Sequence, residues 1–211
     1  MAEQVAQHLA NQIISGKRAA NERIQELKIV EELEVSRGSV REALLLMEKR
    51  HLVEIIPRKG AVVAKISSES VVNLFDVFGT LLTRLAVLVA DRWKDNELDE
   101  VTKHILVLQS IAGQTDREEF MAQVFMLLSM AYPLAGNKYL QEVLENLQPA
   151  IYRCYALAQR YKPNDGKAAL VFFSSLMTGV IQRKTEVLPA AVKQYFDHQQ
   201  SLVLAALEAN E

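Results

Sequence analysis

Two arginines, Arg37 and Arg41, are the residues whose types and spacing most clearly indicate a chemistry. They lie four positions apart in a predicted helix that Ser36 can cap, so both belong to one face of that helix. The opposite face is predicted to point into a core through Val40, Leu44 and Met47. Two exposed guanidinium groups on the first half of a helix can reach DNA phosphates and base edges in a major groove. An ordinary solvated amphipathic helix would show the same short pattern, so the neighbouring elements must decide.

The segments on either side predict a winged helix-turn-helix. The predicted elements are a helix at residues 5–15, a second short helix that ends near Leu33, and strands at residues 52–56 and 61–66. Gly16 is a natural stop for the first helix, and Pro57 and Gly60 favour a turn between the strands. Three helices followed by a two-stranded wing with a basic tip are the elements of this DNA-binding motif.

At these residues the sequence resembles the GntR superfamily of bacterial transcription regulators, in particular its FadR-like branch. The resemblance covers nearly all of the first 66 residues. Its most specific part is the run Val-Ser-Arg-Gly-Ser-Val-Arg-Glu-Ala-Leu, and further matches lie at residues 13–16, 24–33 and 57–63. The resemblance implies a DNA-binding regulator.

The same resemblance implies which residues bind DNA. Arg37 and Arg41 would contact the operator, and Ser36 and Ser39 would contact phosphates. Gly60 at the tip of the wing would approach the minor groove. The predicted DNA-binding set is Ser36, Arg37, Ser39, Arg41, Arg58, Lys59 and Gly60.

The net charge of the chain is a weak indicator of DNA binding. It is −2 overall, but residues 1–66 carry 11 basic and 9 acidic side chains, a net charge of +2, and the remainder carries −4. We therefore expect DNA affinity to come from locally clustered Arg and Lys and from dimerisation, with weak binding by a monomer. Some of the relatives carry an arginine where this chain has Leu27, so one DNA contact is expected to be absent.

Composition bounds the remaining possibilities. With 211 residues, half of them hydrophobic, and only 8 Gly and 5 Pro, the sequence is typical of a mostly helical protein of one or two domains. The single Cys154 excludes an internal disulfide framework, and no basic-then-apolar signal begins the chain, so a cytoplasmic protein is expected. The richest apolar stretch, residues 81–90, contains Arg84 and is too short to span a bilayer, so no membrane partner is expected.

A polar linker is predicted at residues 67–70, between a DNA-binding domain at residues 1–66 and an all-helical domain at residues 71–211. The helices predicted in the second domain are 71–94, 96–112, 117–133, 139–147, 149–161, 166–183 and 188–209. Without strand signals or repeats, these helices favour a bundle and a mainly α fold class. The resemblance to a FadR-like domain is weaker here and implies effector binding and dimerisation.

The resemblance also identifies the positions of a metal site that this chain does not keep. Many relatives bind a metal ion with an Asp and three His, and orient a carboxylate ligand with an Arg on the first bundle helix. The metal-ligand positions correspond here to Val124, Leu128, Ser174 and Asp197 or His198. The arginine position corresponds to Phe78. Only one of these four positions carries a possible metal ligand, and one ligand cannot hold a divalent ion in competition with water. No metal or other cofactor is therefore predicted.

Apolar residues at these positions leave two interpretations open. The predicted ligand-binding set is Phe78, Leu82, Val124, Leu128, Tyr152, Tyr155 and Ser174. Its apolar members could line a cavity for an apolar effector such as a fatty acid or acyl-CoA, or could fill the core with no ligand at all. The two tyrosines could offer polar tips to a head group, although buried tyrosines are more often paired with the backbone.

No motif indicates catalysis. The sequence has no phosphate-binding glycine loop, no nucleophile elbow and no H-E-x-x-H zinc motif, so no enzyme activity is predicted. The resemblance implies a homodimeric, ligand-responsive repressor that binds a palindromic operator. The alternative is a DNA-binding or protein-interaction module whose helical domain only dimerises.

Overall fold

The computed structural model describes residues 1–94, 96–111, 117–161 and 167–209. The N-terminal unit contains α1 (Ala2–Ile14), α2 (Glu26–Leu33), α3 (Arg37–Lys49), β1 (Val53–Ile56) and β2 (Gly60–Val63). The C-terminal unit contains α4 (Ser68–Arg92), α5 (Asp99–Ile111), α6 (Arg117–Ala135), α7 (Lys138–Tyr161), α8 (Lys167–Ile181) and α9 (Leu188–Glu208). A short 3-10 turn, Thr185–Val187, precedes α9. The predicted fold class, mainly α with a two-stranded wing, is confirmed.

Local sequence signals explain the helix-turn-helix. Glu34, with φ of 52°, ends α2 in the left-handed region, and Ser36 begins α3 by accepting a hydrogen bond from the backbone N–H of Ser39 at 3.1 Å. A serine cap of this kind stabilises a helix by about 1 kcal/mol. The buried face of α3 carries Val40, Ala43, Leu44 and Met47, which pack with Val5, Leu9 and Ile13 of α1. The predicted inward face of α3 is therefore confirmed.

The wing is an antiparallel hairpin with an additional short strand pairing. Val53 lies opposite Val63, and Ile56 lies opposite Gly60. Residues 21–24 run along the other edge of β2, where the N–H of Ile24 donates to the carbonyl of Ala61 at 2.9 Å. This pairing ties the segment before α2 to the wing, although its sequence carries no strand pattern.

In the helical bundle, α4 is the central helix. It packs against α6, α7, α8 and α9. By length and composition α4 is apolar enough to cross a membrane, contrary to the expectation from sequence, and nearly half of its apolar stretch is buried within the bundle. Its buried side chains include Phe75, Phe78, Leu82 and Leu85, which are part of the core. These contacts are those of a core helix.

The first helix of the bundle begins earlier than its apolar pattern indicated. Ser67 and Ser70 form a reciprocal capping box, in which the N–H of Ser70 donates to Oγ of Ser67 at 3.2 Å and the N–H of Ser67 donates to Oγ of Ser70 at 2.9 Å. Residues 67–70 are thus the N-cap and first turn of α4. The segment that crosses between the units is correspondingly short, at residues 64–66.

The helices predicted at residues 139–147 and 149–161 form one continuous helix, α7, and the predicted break at Pro149 is wrong. A proline inside a helix removes one backbone hydrogen bond and costs roughly 3 kcal/mol. Leu140 and Leu144 before the proline and Ile151 and Tyr155 after it are all buried. One apolar face is buried along both halves of α7, and this burial offsets the missing hydrogen bond. A local sequence pattern cannot show such burial.

Candidate nucleic-acid interface and helical core

The exposed face of α3 carries the predicted recognition residues. Both Arg37 and Arg41 are exposed, and the hydroxyls of Ser36 and Ser39 lie 2.9 Å apart at the start of the helix. Oγ of Ser36 caps the helix as an acceptor, so one of the two serine hydroxyls and the other backbone N–H groups of the first turn remain as donors for a phosphate. A Cβ at Gly38, in that turn, would make only an ordinary van der Waals contact, at 3.7 Å from Oγ of Ser36.

Arg41 forms an ion pair with Glu26, the first residue of α2. Its Nε donates to Oε2 of Glu26 at 3.0 Å, and its side chain remains 70% exposed. An ion pair exposed to this extent contributes little to stability, so a phosphate or a base edge can replace the carboxylate. Leu27 follows Glu26 and is itself 54% exposed, so an apolar side chain occupies the position where some relatives have arginine.

The wing presents the predicted basic tip. Arg58 and Lys59 are exposed in the turn between the strands, which is closed by the N–H of Lys59 donating to the carbonyl of Ile56 at 3.1 Å. Gly60 has φ of 86°, a left-handed backbone conformation that favours glycine. The guanidinium of Arg23 lies 4.0 Å from where a Cβ at Gly60 would be. Arg23 therefore adds a cation to the wing that the sequence pattern did not indicate, because it is placed there only by pairing with β2.

The predicted ligand-binding residues do not converge on one cavity. Leu82 and Leu128 line an almost wholly apolar cavity of about 60 Å³ between α4, α5, α6 and α8. Phe78 and Val124 are buried core residues that do not line it, and Phe78 stacks on Phe196 with ring centroids 5.9 Å apart.

The polar members of the predicted ligand-binding set lie elsewhere. Tyr152 packs its ring on Phe125 at a centroid distance of 5.2 Å. Tyr155 is buried, and its hydroxyl is hydrogen-bonded to Tyr195. Ser174 is exposed, accepts a hydrogen bond from Gln109 at 3.4 Å and does not line the apolar cavity.

The size of the apolar cavity limits what it can hold. Small-molecule pockets are usually about 300–1,000 Å³, whereas this cavity is about 60 Å³. An acyl chain does not fit without movement of the surrounding helices. Between the two interpretations of the sequence, the structure therefore favours a filled core over a preformed pocket.

The former metal-ligand positions lie in unsuitable surroundings. Val124 is buried among apolar residues, and Leu128 packs against the same core. Asp197 and His198 are exposed on α9, where Asp197 pairs with Lys193 at 2.7 Å. Over the part of the chain that the structure describes, no three His, Cys, Asp or Glu residues are grouped to hold a metal ion.

The buried thiol of Cys154 and the buried hydroxyls of Tyr155 and Tyr195 are held in their neutral forms. Burial raises the pKa of the Cys154 thiol to about 12, and it raises the pKa of the Tyr155 and Tyr195 hydroxyls above their ordinary values. A thiol with that pKa is protonated at neutral pH and is a poor nucleophile. Cys154 is a packed core residue, as expected.

Helix α7 connects the bundle to the DNA-binding unit. Its Arg160 donates from Nη1 to the carbonyl of Ile14, at the end of α1, at 3.0 Å. Its Arg153 donates from Nη1 to the carbonyl of Ala64 at 2.7 Å. A third contact, exposed, joins Glu142 to Lys49 of α3 at 2.9 Å. None of these contacts could be read from the sequence, because each joins residues far apart in the chain.

The fold and the exposed arginines define the class of protein, a winged helix-turn-helix DNA-binding unit joined to a helical bundle. Residues 1–63 match the gntR family of bacterial regulatory proteins, and residues 73–198 match the FCD domain. The chain belongs to the gntR family of bacterial regulatory proteins and carries an FCD domain. It is a transcription regulator and not an enzyme.

Named relatives and solved structures agree with this assignment. The chain is 26% identical over 162 residues to the gluconate operon transcriptional repressor of Bacillus subtilis (strain 168), a match that covers 75% of this chain and 65% of that protein. It is 28% identical over 161 residues to the HTH-type transcriptional repressor GlaR of Escherichia coli (strain K12), covering 73% of this chain and 69% of that protein. The matches thus span about two thirds of the length of these relatives. The structure of E. coli McbR/YncC superposes with a TM-score of 0.80 at 16% identity over 96% of both chains, which shows the shared fold.

Proposed function

We propose that this protein is a homodimeric transcriptional repressor that acts in the cytoplasm and binds a palindromic operator. The observation that carries the proposal is the pair of exposed arginines, Arg37 and Arg41, one turn apart on the second helix of a helix-turn-helix. The arginines would read the major groove, and the wing cations Arg58 and Lys59 would contact the adjacent backbone. Two of the relatives are named as repressors, which supports repression as the effect on transcription.

The modest charge of the DNA-binding unit supports dimerisation. A net charge of +2 on residues 1–66 gives one unit a weak electrostatic hold on DNA. Two units related by a twofold axis double the contacts and require an operator with matching symmetry.

The helical domain would respond to an apolar or acyl-type metabolite, such as a fatty acid or an acyl-CoA. Leu82 and Leu128 mark the proposed place of entry, and the ligand would have to spread the surrounding helices because the cavity is about 60 Å³. Movement in the bundle can reach the DNA-binding unit through α7, which contacts α1. A ligand that prefers the spread arrangement would then change the affinity for DNA.

The small cavity also supports a second candidate function, in which the helical domain only dimerises and binds no small ligand. The two candidates differ in one measurement. Under the first, calorimetry with fatty acids of increasing length shows affinity rising by about fourfold per methylene until the cavity is full, whereas citrate binds this cavity poorly because no arginine lines it to offset the desolvation of the charges. Under the second, no acyl compound binds while operator binding is intact.

The experiment that tests the repressor proposal is selection of bound sequences from random DNA with the full-length protein, followed by footprinting. We expect a palindrome with half-sites centred one helical turn apart, or a multiple of it, and two chains per site by analytical ultracentrifugation. A selected site without twofold symmetry, or one chain per site, would contradict the proposed mode of binding.

A further inference from the structure

A large cleft separates the two units and is distinct from the cavity in the bundle. Its volume is about 670 Å³, which lies within the range of small-molecule sites. It is bounded by the end of α3, β1, the connector at residues 64–66, α4 and α7. An occupant of this cleft would touch the DNA-binding unit and the bundle together.

Arg153 of α7 lines the cleft and is a buried cation without a counter-ion. Only 7% of the residue is exposed, and Nη1 donates to the carbonyl of Ala64, which is a neutral partner. Among the residues that the structure describes, no acidic side chain forms an ion pair with it, and burial lowers the pKa of its guanidinium. A guanidinium carries five donors in a planar fork that matches a carboxylate, and a buried charge left unpaired is costly.

The remaining walls of the cleft combine apolar surface with a few polar groups. Leu74, Val77 and Leu147 provide the apolar part, and Lys65 and His51 add a second cation and an imidazole. Two carboxylates also line the cleft, Glu48 and Glu54. Glu48 already accepts a hydrogen bond from the backbone N–H of Ile55 at 2.9 Å.

We propose that this interdomain cleft binds a small organic carboxylate, with its carboxylate against the guanidinium of Arg153 and its apolar body against Leu74, Val77 and Leu147. The ligand supplies the counter-ion that Arg153 lacks. Because the site includes residues of both units, its occupancy favours the domain arrangement seen here over others. The regulatory consequence, a change in operator affinity, rests on the proposed DNA-binding function, whereas the binding itself does not.

The test is isothermal titration calorimetry of the full-length protein with straight-chain carboxylates from acetate to decanoate, and with the alcohols of the same lengths. We expect carboxylates of intermediate length to bind at millimolar concentration or below and the matched alcohols to bind much more weakly. Arg153→Gln should weaken carboxylate binding on the order of 30-fold or more, because it removes one partner of a desolvated charge pair. Arg160→Gln is the matched control, since Arg160 also donates to a carbonyl of the other unit but does not line the cleft.

A second pair of variants keeps the test decisive if Arg153→Gln does not fold. Val77 is 47% exposed on α4, so Val77→Asp places a carboxylate in the cleft at little cost to the core and should abolish binding, while Val77→Asn should not. Val72→Asp, on the same helix and outside the cleft, is the positional control.

Four outcomes would overturn the proposal outright, and a fifth would move the ligand from the cleft to the bundle. The four are no binding of any carboxylate by the wild type, equal binding of carboxylates and alcohols, equal losses in Arg153→Gln and Arg160→Gln, and binding that survives Val77→Asp. Binding that survives Arg153→Gln but is lost in Leu128→Asp, at the apolar cavity, would place the ligand in the bundle, which overturns the cleft and supports the effector of the proposed function. Carboxylate binding without operator binding would support the proposed ligand site in the cleft and would overturn the repressor proposal.

Discussion

At the scale of single residues, the pair formed by Arg41 and Glu26 sets how α3 presents its charge. The carboxylate of α2 fixes the orientation of the guanidinium at 3.0 Å without burying it. Ordering a long side chain before binding lowers the entropy that must be lost when DNA arrives. Glu26 therefore both positions Arg41 and competes with the phosphate or base that would take its place.

Removal of the Arg41 guanidinium should weaken specific binding and spare the fold. We expect Arg41→Ala to reduce operator affinity by about 1–3 kcal/mol in a gel-shift titration, because a recognition-helix contact is lost from an exposed position. Lys193→Ala is the matched control, since it removes one positive charge from an exposed ion pair on α9. Equal affinity in the wild type and Arg41→Ala would show that α3 does not read the operator as described.

The exposed Leu27 allows a gain-of-contact test. Leu27→Arg should strengthen binding to all DNA sequences and make the slope of log affinity against log salt steeper by about one unit, because one more phosphate is neutralised. Leu27→Gln controls for the loss of the apolar side chain. An unchanged salt slope in Leu27→Arg would mean that this turn of α2 does not face the DNA backbone.

At the scale of elements, α7 is the helix that belongs to both halves of the molecule. It contributes Leu144 and Ile151 to the core of the bundle, and it contacts α1 through Arg160. A break at Pro149 would have separated the part bearing Glu142, which pairs with α3, from the part bearing Arg160. The continuity of α7 therefore links the contacts that hold the two units together.

The proline in α7 should lower stability relative to alanine. Pro149→Ala restores an N–H donor for the carbonyl of Glu145, so we expect the free energy of unfolding, measured by urea denaturation, to rise by up to about 3 kcal/mol. A decrease instead would indicate that the backbone geometry imposed by the proline is required for α7 to reach both units.

At the scale of the whole molecule, apolar side chains pack at two of the positions where the resemblance implies metal ligands in relatives. Val124 and Leu128 contribute to the core in which Phe78 stacks on Phe196. We expect the purified protein to carry no stoichiometric zinc, nickel or manganese by elemental analysis, and a chelator to leave its melting temperature unchanged. One tightly bound transition metal per chain, or a lower melting temperature with chelator, would contradict this prediction.

The sequence by itself determined the DNA-binding unit. The cap at Ser36, the helical spacing of Val40, Leu44 and Met47, and the turn residues around Gly60 are local signals, and each element they predict is present. A cap, a helical period and a turn depend on residues within a few positions of one another, so a single sequence is enough to recognise them.

Only the tertiary structure decided what the helical domain can hold. The sequence showed that Leu82 and Leu128 are apolar, but whether they enclose space or fill it depends on helices that are far apart in the chain. Ser174, a member of the predicted ligand-binding set, is exposed, and no local pattern fixes how α8 is rotated against its neighbours. Arg153 donates a hydrogen bond to the carbonyl of Ala64, 89 positions away in the sequence, and its burial without a counter-ion among the described residues exists only after both units have packed. Burial, cavity volume and charge pairing are properties of contacts between distant segments, and for that reason they were settled by packing and not by local sequence.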